Sequence, residues 1–173
     1  EIMVGDEKQN PVATNEEGEI LVRGSNVMQG YLDRPEETAK TITANGWLRT
    51  GDLGRMDEDG FIFVTGRIKE LIIKGGENIA PREIDEALLE HEAVLEAAAF
   101  PRACKDYGQR VEACVCLKKG RHVSENELRE FCEGLIGAYK TPDNIYFLDD
   151  LPKGPSGKVQ RMKLIDLTQS ANA

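Results

Sequence analysis

Three short stretches hold side chains whose type and spacing suit chemistry. In Gly46-Trp-Leu-Arg-Thr-Gly-Asp52 an aspartate follows Thr-Gly at what reads as a turn between elements. A carboxylate there suits vicinal ribose hydroxyls, accepting two hydrogen bonds in a fixed geometry. An aspartate that satisfies its own turn carries the same local signature. In Thr65-Gly-Arg-Ile-Lys-Glu-Leu-Ile-Ile-Lys-Gly-Gly-Glu-Asn-Ile-Ala-Pro81, Arg67 and Lys69 stand two apart on a segment that reads as extended, hence on one face. Gly75-Gly76 permits positive φ or a close approach of backbone. The stretch reads either as an exposed strand face with a hairpin turn or, given its density of glycine and charge, as a hinge. In Leu151-Pro-Lys-Gly-Pro-Ser-Gly-Lys158, the Gly-Pro and Ser-Gly pairs shape a loop that presents Lys158. Such a lysine can bring positive charge to a phosphoryl group, or be an ordinary surface lysine. The loop is not the Gly-x4-Gly-Lys-Ser/Thr phosphate loop. Val159 follows Lys158 where Ser or Thr is needed, and Pro152 stands where the first glycine belongs.

The elements that must hold these residues fall into two groups. Glu1–Val4 and Gly18–Gly24 read as strands. Arg34-Pro35-Glu36-Glu37 opens a short helix reaching about Ile42, with proline and acids in its first turn. Gly46-Trp47-Leu48 breaks it, Asp57–Gly60 is a turn and Phe61–Thr65 a strand. A separate α+β unit follows. Ile68–Lys74 reads as extended, Gly75-Gly76 as a tight turn, and Pro81 starts a helix with Ile84, Ala87 and Leu88 at helical spacing. Val94–Phe100 and Val111–Leu117 read as strands joined by a polar connection containing Gly108. Ser124-Glu-Asn-Glu127 is a capping box, and its helix places Leu128, Phe131, Leu135 and Ile136 on one face. Asn144–Leu148 is a last strand, Pro152–Lys158 a loop and Arg161–Leu167 a terminal helix. The expected fold is α+β: a small β-rich unit over 1–66, then a compact unit over 67–173 with a short sheet and about three helices. The hinge is expected near 67–71.

Composition narrows the partners. The chain has 173 residues and a net charge of −9. It lacks the basic field that nucleic acid requires. Its apolar runs are far too short to span a membrane. Lys153, Lys158, Arg161 and Lys163 cluster near the C-terminus, a pattern of a small phosphorylated ligand or of a solvated helix face. Cys114 and Cys116 flank Val115 on a strand and share a face, so both are expected in a core. No ligand spacing for a metal joins the four cysteines to His91 and His122. The cysteine pattern offers no disulfide framework, which fits a reducing cytoplasm. Lys118, Lys119 and Arg121 read as a solvated loop, with contact to the phosphates of a nucleotide ligand as the alternative. The chain begins at Glu1, with no initiator methionine, and is expected to be a processed or shortened form.

In order and spacing the motifs resemble the adenylate-forming superfamily of acyl-CoA synthetases, luciferases and peptide-synthetase adenylation domains. The resemblance runs through Gly18-Glu-Ile…Gly24, Gly30-Tyr31, Trp47…Asp52 and Gly60…Gly66-Arg67-Ile-Lys-Glu-Leu-Ile. It continues in Gly75-Gly76-Glu-Asn-Ile-Ala-Pro81, Glu83-Ile84, Tyr139-Lys-Thr-Pro142 and Leu151-Pro…Gly157-Lys158. It implies the C-terminal part of an AMP-forming acid–CoA ligase, using a small carboxylic acid, ATP with Mg2+, and coenzyme A. It implies that Asp52 holds the ribose hydroxyls, that Arg67 makes a second ribose or phosphate contact, and that Lys69 is the pivot of a mobile domain. Lys158 would contact the carboxylate and α-phosphate oxygens while acyl-AMP forms. Gly75, Gly76 and Glu77 would line the path of the pantetheine.

The chain departs from the family in two ways. The triphosphate loop and acyl pocket lie upstream of these motifs, so the chain alone is not expected to adenylate, and Mg2+ and ATP would be held mainly by that upstream domain. Ala99-Phe-Pro-Arg102 stands where the family usually has a Gly-x-Pro-Asp loop. A unit that loads a carrier protein and a non-catalytic binding module are the alternatives. Lys74-Gly-Gly-Glu-Asn-Ile-Ala-Pro81 is more similar to CoA ligases than to peptide synthetases.

Overall fold

The computed structural model describes residues 1–169. The chain divides into two compact units, Glu1–Lys69 and a second beginning at Glu70.

The first unit is a four-stranded antiparallel sheet in chain order, β1 Ile2–Gly5, β2 Gly18–Val22, β3 Leu48–Met56 and β4 Ile62–Arg67. Its buried apolar core is small: Val4, Ile20 and Leu21. Helix α1, Pro35–Thr41, starts with its proline in the first turn and with Glu36 and Glu37 behind it. The local sequence predicts a turn between elements at Asp52. Asp52 instead lies inside β3. Between Glu19↔Leu53 and Leu21↔Arg49, one residue of β2 faces three of β3. The extra residues bulge out around Gly51, whose φ of 73° suits glycine.

A further correction concerns Ile68–Lys74, read as one extended segment. A 3-10 turn occupies Ile68–Glu70, and only Ile72–Lys74 is strand. Arg67 closes β4 while Lys69 sits within the turn, so the alternation of a strand does not place them on one face.

The second unit is built on a sheet ordered β6-β5-β8-β7, with β9 also pairing β8. Its strands are β5 Ile72–Lys74, β6 Glu77–Ile79, β7 Val94–Cys104, β8 Gly108–Leu117 and β9 Asn144–Phe147. Strand β9 runs parallel to β8; the other pairs are antiparallel. Strands β7 and β8 run longer than expected, so Ala99-Phe-Pro-Arg102, read as a loop, continues β7. Proline is tolerated there because β7 is an edge strand and its outer amides need no partner.

The sheet has two covered faces. On one, α2 (Pro81–Leu89) and α3 (Glu125–Ile136) bury Ile84, Leu88, Leu128 and Cys132 against Ala99, Val111, Ala113 and Val115. Cys132, rather than Leu135, completes the α3 face; Leu135 is half-exposed. On the other, Leu151 and Leu164 of α4 (Arg161–Gln169) cover Ala98, Phe100, Cys114 and Cys116. Period-2 alternation sorts Ala113 and Val115 to one face and Cys114 and Cys116 to the other, as the spacing predicts. All four cysteines are free.

Candidate functional site

In the first unit Asp52 and Arg67 face each other across β3 and β4, and Arg67 Nε lies 2.7 Å from Asp52 Oδ1. The bulge behind Asp52 is pinned. The Thr50 hydroxyl donates to the Ile20 carbonyl at 2.8 Å and accepts from the Asp52 amide at 3.0 Å. Glu19, almost fully buried, accepts from the Gly51 amide at 3.1 Å and from Arg49 at 2.8 Å. Glu19 is a positioning residue that the sequence reading missed. Its signal was its place in Gly18-Glu-Ile, one of the motifs that carry the resemblance. Asp52 remains part-exposed, and a carboxylate with one oxygen on arginine still has lone pairs for hydroxyl donors.

In the second unit Gly75-Gly76 forms the two-residue turn of the β5–β6 hairpin, with φ of 57° and 90°. Two positive φ values fit the strand twist and demand glycine or a close substitute. The turn is locked from behind. Lys74 Nζ donates to the Tyr139 carbonyl at 2.9 Å, and Tyr139 Oη donates to the Lys74 carbonyl at 2.5 Å. The Gly75 amide donates to the Tyr107 carbonyl at 2.9 Å. Lys74 is buried and lies over the Tyr139 ring at 5.1 Å. Glu77, opposite Lys74 in the register, is exposed beside the turn.

Lys158 is exposed on a loop closed by backbone bonds. The Gly154 amide donates to the Lys158 carbonyl at 2.8 Å, the Gly157 amide to the Gly154 carbonyl at 2.9 Å, and the Gln160 amide to the Pro152 carbonyl at 2.8 Å. Ion pairs fasten both flanks. Lys153 donates to Glu96 at 2.7 and 2.9 Å and to Asp150 at 3.3 Å. Arg161 binds Asp85 through two nitrogens at 3.2 and 2.5 Å. Burial pushes the Asp85 carboxyl above the ordinary range, while the Arg161 guanidinium pulls it back. Asp85 and Arg161, far apart in sequence, were not recognised as partners.

The two features stand apart. Lys74 pairs with Gly108, which pairs with Cys104, so the glycine turn sits where β7 ends. Lys153 is tied to Glu96, where β7 begins. Eight residues of strand separate Glu96 from Cys104, roughly 25 Å. The faces differ too. Ile72 and Ile79 of the glycine hairpin pack with α2 and α3, while Val159 of the lysine loop packs with the α4 face.

Residues 83–158 match the family of AMP-binding enzyme C-terminal domains. The chain is 51% identical over 156 residues to a sulfoacetate–CoA ligase of Cupriavidus necator, covering 90% of this chain and 31% of that protein. The ATP-bound structure of MatB from Rhodopseudomonas palustris matches all of the chain at a TM-score of 0.93 and 33% identity, over 35% of its own length. The chain belongs to the adenylate-forming superfamily. A second structure of this superfamily, o-succinylbenzoate CoA synthetase of Bacillus subtilis with its acyl-adenylate, matches 95% of the chain and 33% of its own at a TM-score of 0.86 and 39% identity. MatB without ligand matches all of the chain at a TM-score of 0.74 and 33% identity. The chain spans about a third of the length of these relatives.

Among the described residues, no helix is long and apolar enough to cross a membrane, and no group of three or more His, Cys, Asp or Glu could hold a metal ion. Lys118 donates to the Glu92 carbonyl and Arg121 pairs with the Glu92 carboxylate, which engages two of the cations of the 118–121 loop.

Proposed function

We propose that this chain serves as the C-terminal part of an ATP-dependent, AMP-forming acyl-CoA synthetase. In the first step a carboxylate oxygen attacks the α-phosphorus of ATP, an O–P bond forms and pyrophosphate leaves. In the second the thiol of coenzyme A attacks the acyl carbon, a C–S bond forms, AMP leaves and the thiol proton passes to solvent. The observation that carries the reading is the separation of the glycine turn from Lys158 on one compact unit. Each half-reaction needs a different feature at the same acyl phosphate, and one orientation of the unit cannot deliver both.

Lys158 supplies charge in the first step. Carboxylate and α-phosphate are both anionic, and a preorganised cation at their oxygens lowers the barrier to bringing them together. Asp52 receives the ribose hydroxyls, with Arg67 fixing its carboxylate and making a second ribose or phosphate contact. Lys69 is the pivot, in the 3-10 turn where the two units meet in sequence. In the second step Gly75 and Gly76 offer a turn without side chains, so a thin pantetheine arm can pass, with Glu77 beside it. The described residues do not fit a metal site, so no step here is assigned to Mg2+. The acid substrate is bound elsewhere in such an enzyme, and a cytoplasmic setting fits four free thiols.

The test uses the intact native gene product. It should carry a glycine-rich phosphate loop upstream, exchange pyrophosphate into ATP, and lose that exchange on Lys158→Ala. A native product limited to these residues, or one whose exchange survives the substitution, overturns the reading.

A further inference from the structure

Arg161 opens α4, three residues after Lys158. Its side chain is 19% exposed. Nη1 donates to Asp85 Oδ1 and to the Ala99 carbonyl at 3.0 Å, and Nη2 to Asp85 Oδ2. Asp85 in turn accepts the Ala99 amide at 2.6 Å. This fork-on-carboxylate geometry fastens the exit of the lysine loop to α2 and β7 without using Nε. Nε has a separate partner, Glu70 Oε2 at 3.2 Å. Glu70 ends the 3-10 turn, directly after Lys69, and is 46% exposed.

A half-exposed second carboxylate adds little stability to an arginine already satisfied by a buried one. Its position carries more meaning than its strength. Glu70 stands on the turn that any rotation about Lys69 redraws, and Arg161 stands at the foot of the loop that presents Lys158. We propose that the Glu70–Arg161 pair links the hinge to the lysine loop, formed in the adenylating orientation and released in the thioester-forming one. Both are positioning residues, and neither touches substrate. The inference rests on the proposed roles of Lys69 and Lys158.

The test is Glu70→Gln in the intact ligase, with the two half-reactions measured separately. Pyrophosphate exchange reports adenylation, and acyl transfer from preformed acyl-AMP to coenzyme A reports the second step. The expected result is a loss of about fivefold or more in the kcat of exchange. KM for ATP, acyl transfer and melting temperature should stay unchanged. Arg161→Lys, which keeps charge but loses the fork, should lower exchange further. Equal loss in both steps, or loss in neither, overturns the link. Lys158→Ala separates the two levels. If it retains exchange, the underlying reading fails. If it loses exchange while Glu70→Gln does not, only the link fails.

Discussion

The glycine turn and the lysine loop are held in different ways. The turn is a two-residue hairpin whose backbone is gripped from behind: the Gly75 amide by the Tyr107 carbonyl, the Lys74 carbonyl by Tyr139 Oη, with Lys74 Nζ on the Tyr139 carbonyl. The lysine loop closes on itself through backbone bonds and is anchored to the rest of the unit by side chains, with Lys153 on Glu96 at one flank and Arg161 on Asp85 at the other. The first device fixes a shape and leaves no side chain at its tip. The second fixes two posts and leaves Lys158 exposed between them. The contrast matches the tasks proposed for them. A passage for a thin substrate needs a wall of set shape. A cation that meets two anions as they approach needs reach.

The largest break in this comparison is Lys158→Ala. Loss of the cation should slow adenylation by about two powers of ten or more, ~3 kcal/mol at the barrier. Acyl transfer from preformed acyl-AMP should survive, because the opposite end of the sheet is intact. Equal loss in both steps would contradict separate tasks. Gly75→Ala is the converse. The residue has φ of 57°, and a Cβ there would stand 3.0 Å from Tyr139 Oη. The left-handed backbone costs a non-glycine residue about 1–2 kcal/mol. Acyl transfer should slow about tenfold if that strain is felt at the turn. Pyrophosphate exchange should hold.

Thiol labelling sharpens the contrast without substitutions. Burial pushes the Cys114 thiol up to about 12 and the Cys132 thiol up to about 11, and it raises Cys116 as well. At pH 8 Cys114 and Cys132 hold almost no thiolate, the form that reacts, and Cys116 holds less than an ordinary thiol. Cys104 is only half-buried and faces Gly108 at the glycine-turn end. Mass spectrometry after iodoacetamide should find one adduct, at Cys104, and the adduct should slow acyl transfer more than exchange. Labelling of Cys114 in the folded protein would contradict the described core.

Much of this was legible because the signals are local. Pro35 and Pro81 mark helix starts, Gly75-Gly76 is a hairpin turn, and Ser124 with Glu127 is a capping box, each read within a few residues. What was missed depends on distant partners. β3 hides behind Thr50-Gly51, which breaks strand alternation unless Glu19 and Ile20 are known to pin the bulge. Ile68-Lys-Glu-Leu-Ile-Ile has the composition of a strand, and only pairing shows that its first half turns. Pro101 argues against a strand until β7 proves to be an edge. The candidate residues were readable as types, but their supports were not. Asp85 and Arg161 lie 76 residues apart, and no local pattern joins them.

The smallest predicted effect probes whether the two ends also loosen separately. α3 packs in the same cluster as Ile72 and Ile79 of the glycine hairpin and leads through Gly137 to Tyr139, while the lysine loop packs on the other face. Its N-terminus is capped by Ser124 and Glu127, each accepting the other's amide, at 3.3 and 2.8 Å. The Ser124 amide holds the Glu127 carboxyl below the ordinary glutamate value of 4.5. A depressed folded value means the capping contribution is present above pH 4.5 and lost as pH falls through the folded value. Ser124→Ala should remove about 1 kcal/mol at pH 6. Amide protection at Gly75 and Gly76 should fall with it, while protection at Gly154 and Gly157 stays. On acidification the difference between wild type and variant should shrink only by the share of the Ser124 hydroxyl's 2.7 Å bond to the Glu127 carboxylate, because the variant keeps the backbone amide that binds that carboxylate. Comparing the two at each pH cancels the other carboxylates that titrate there. Equal loss of protection at both ends would mean that α3 supports the sheet as a whole, and that the two features share one local stability.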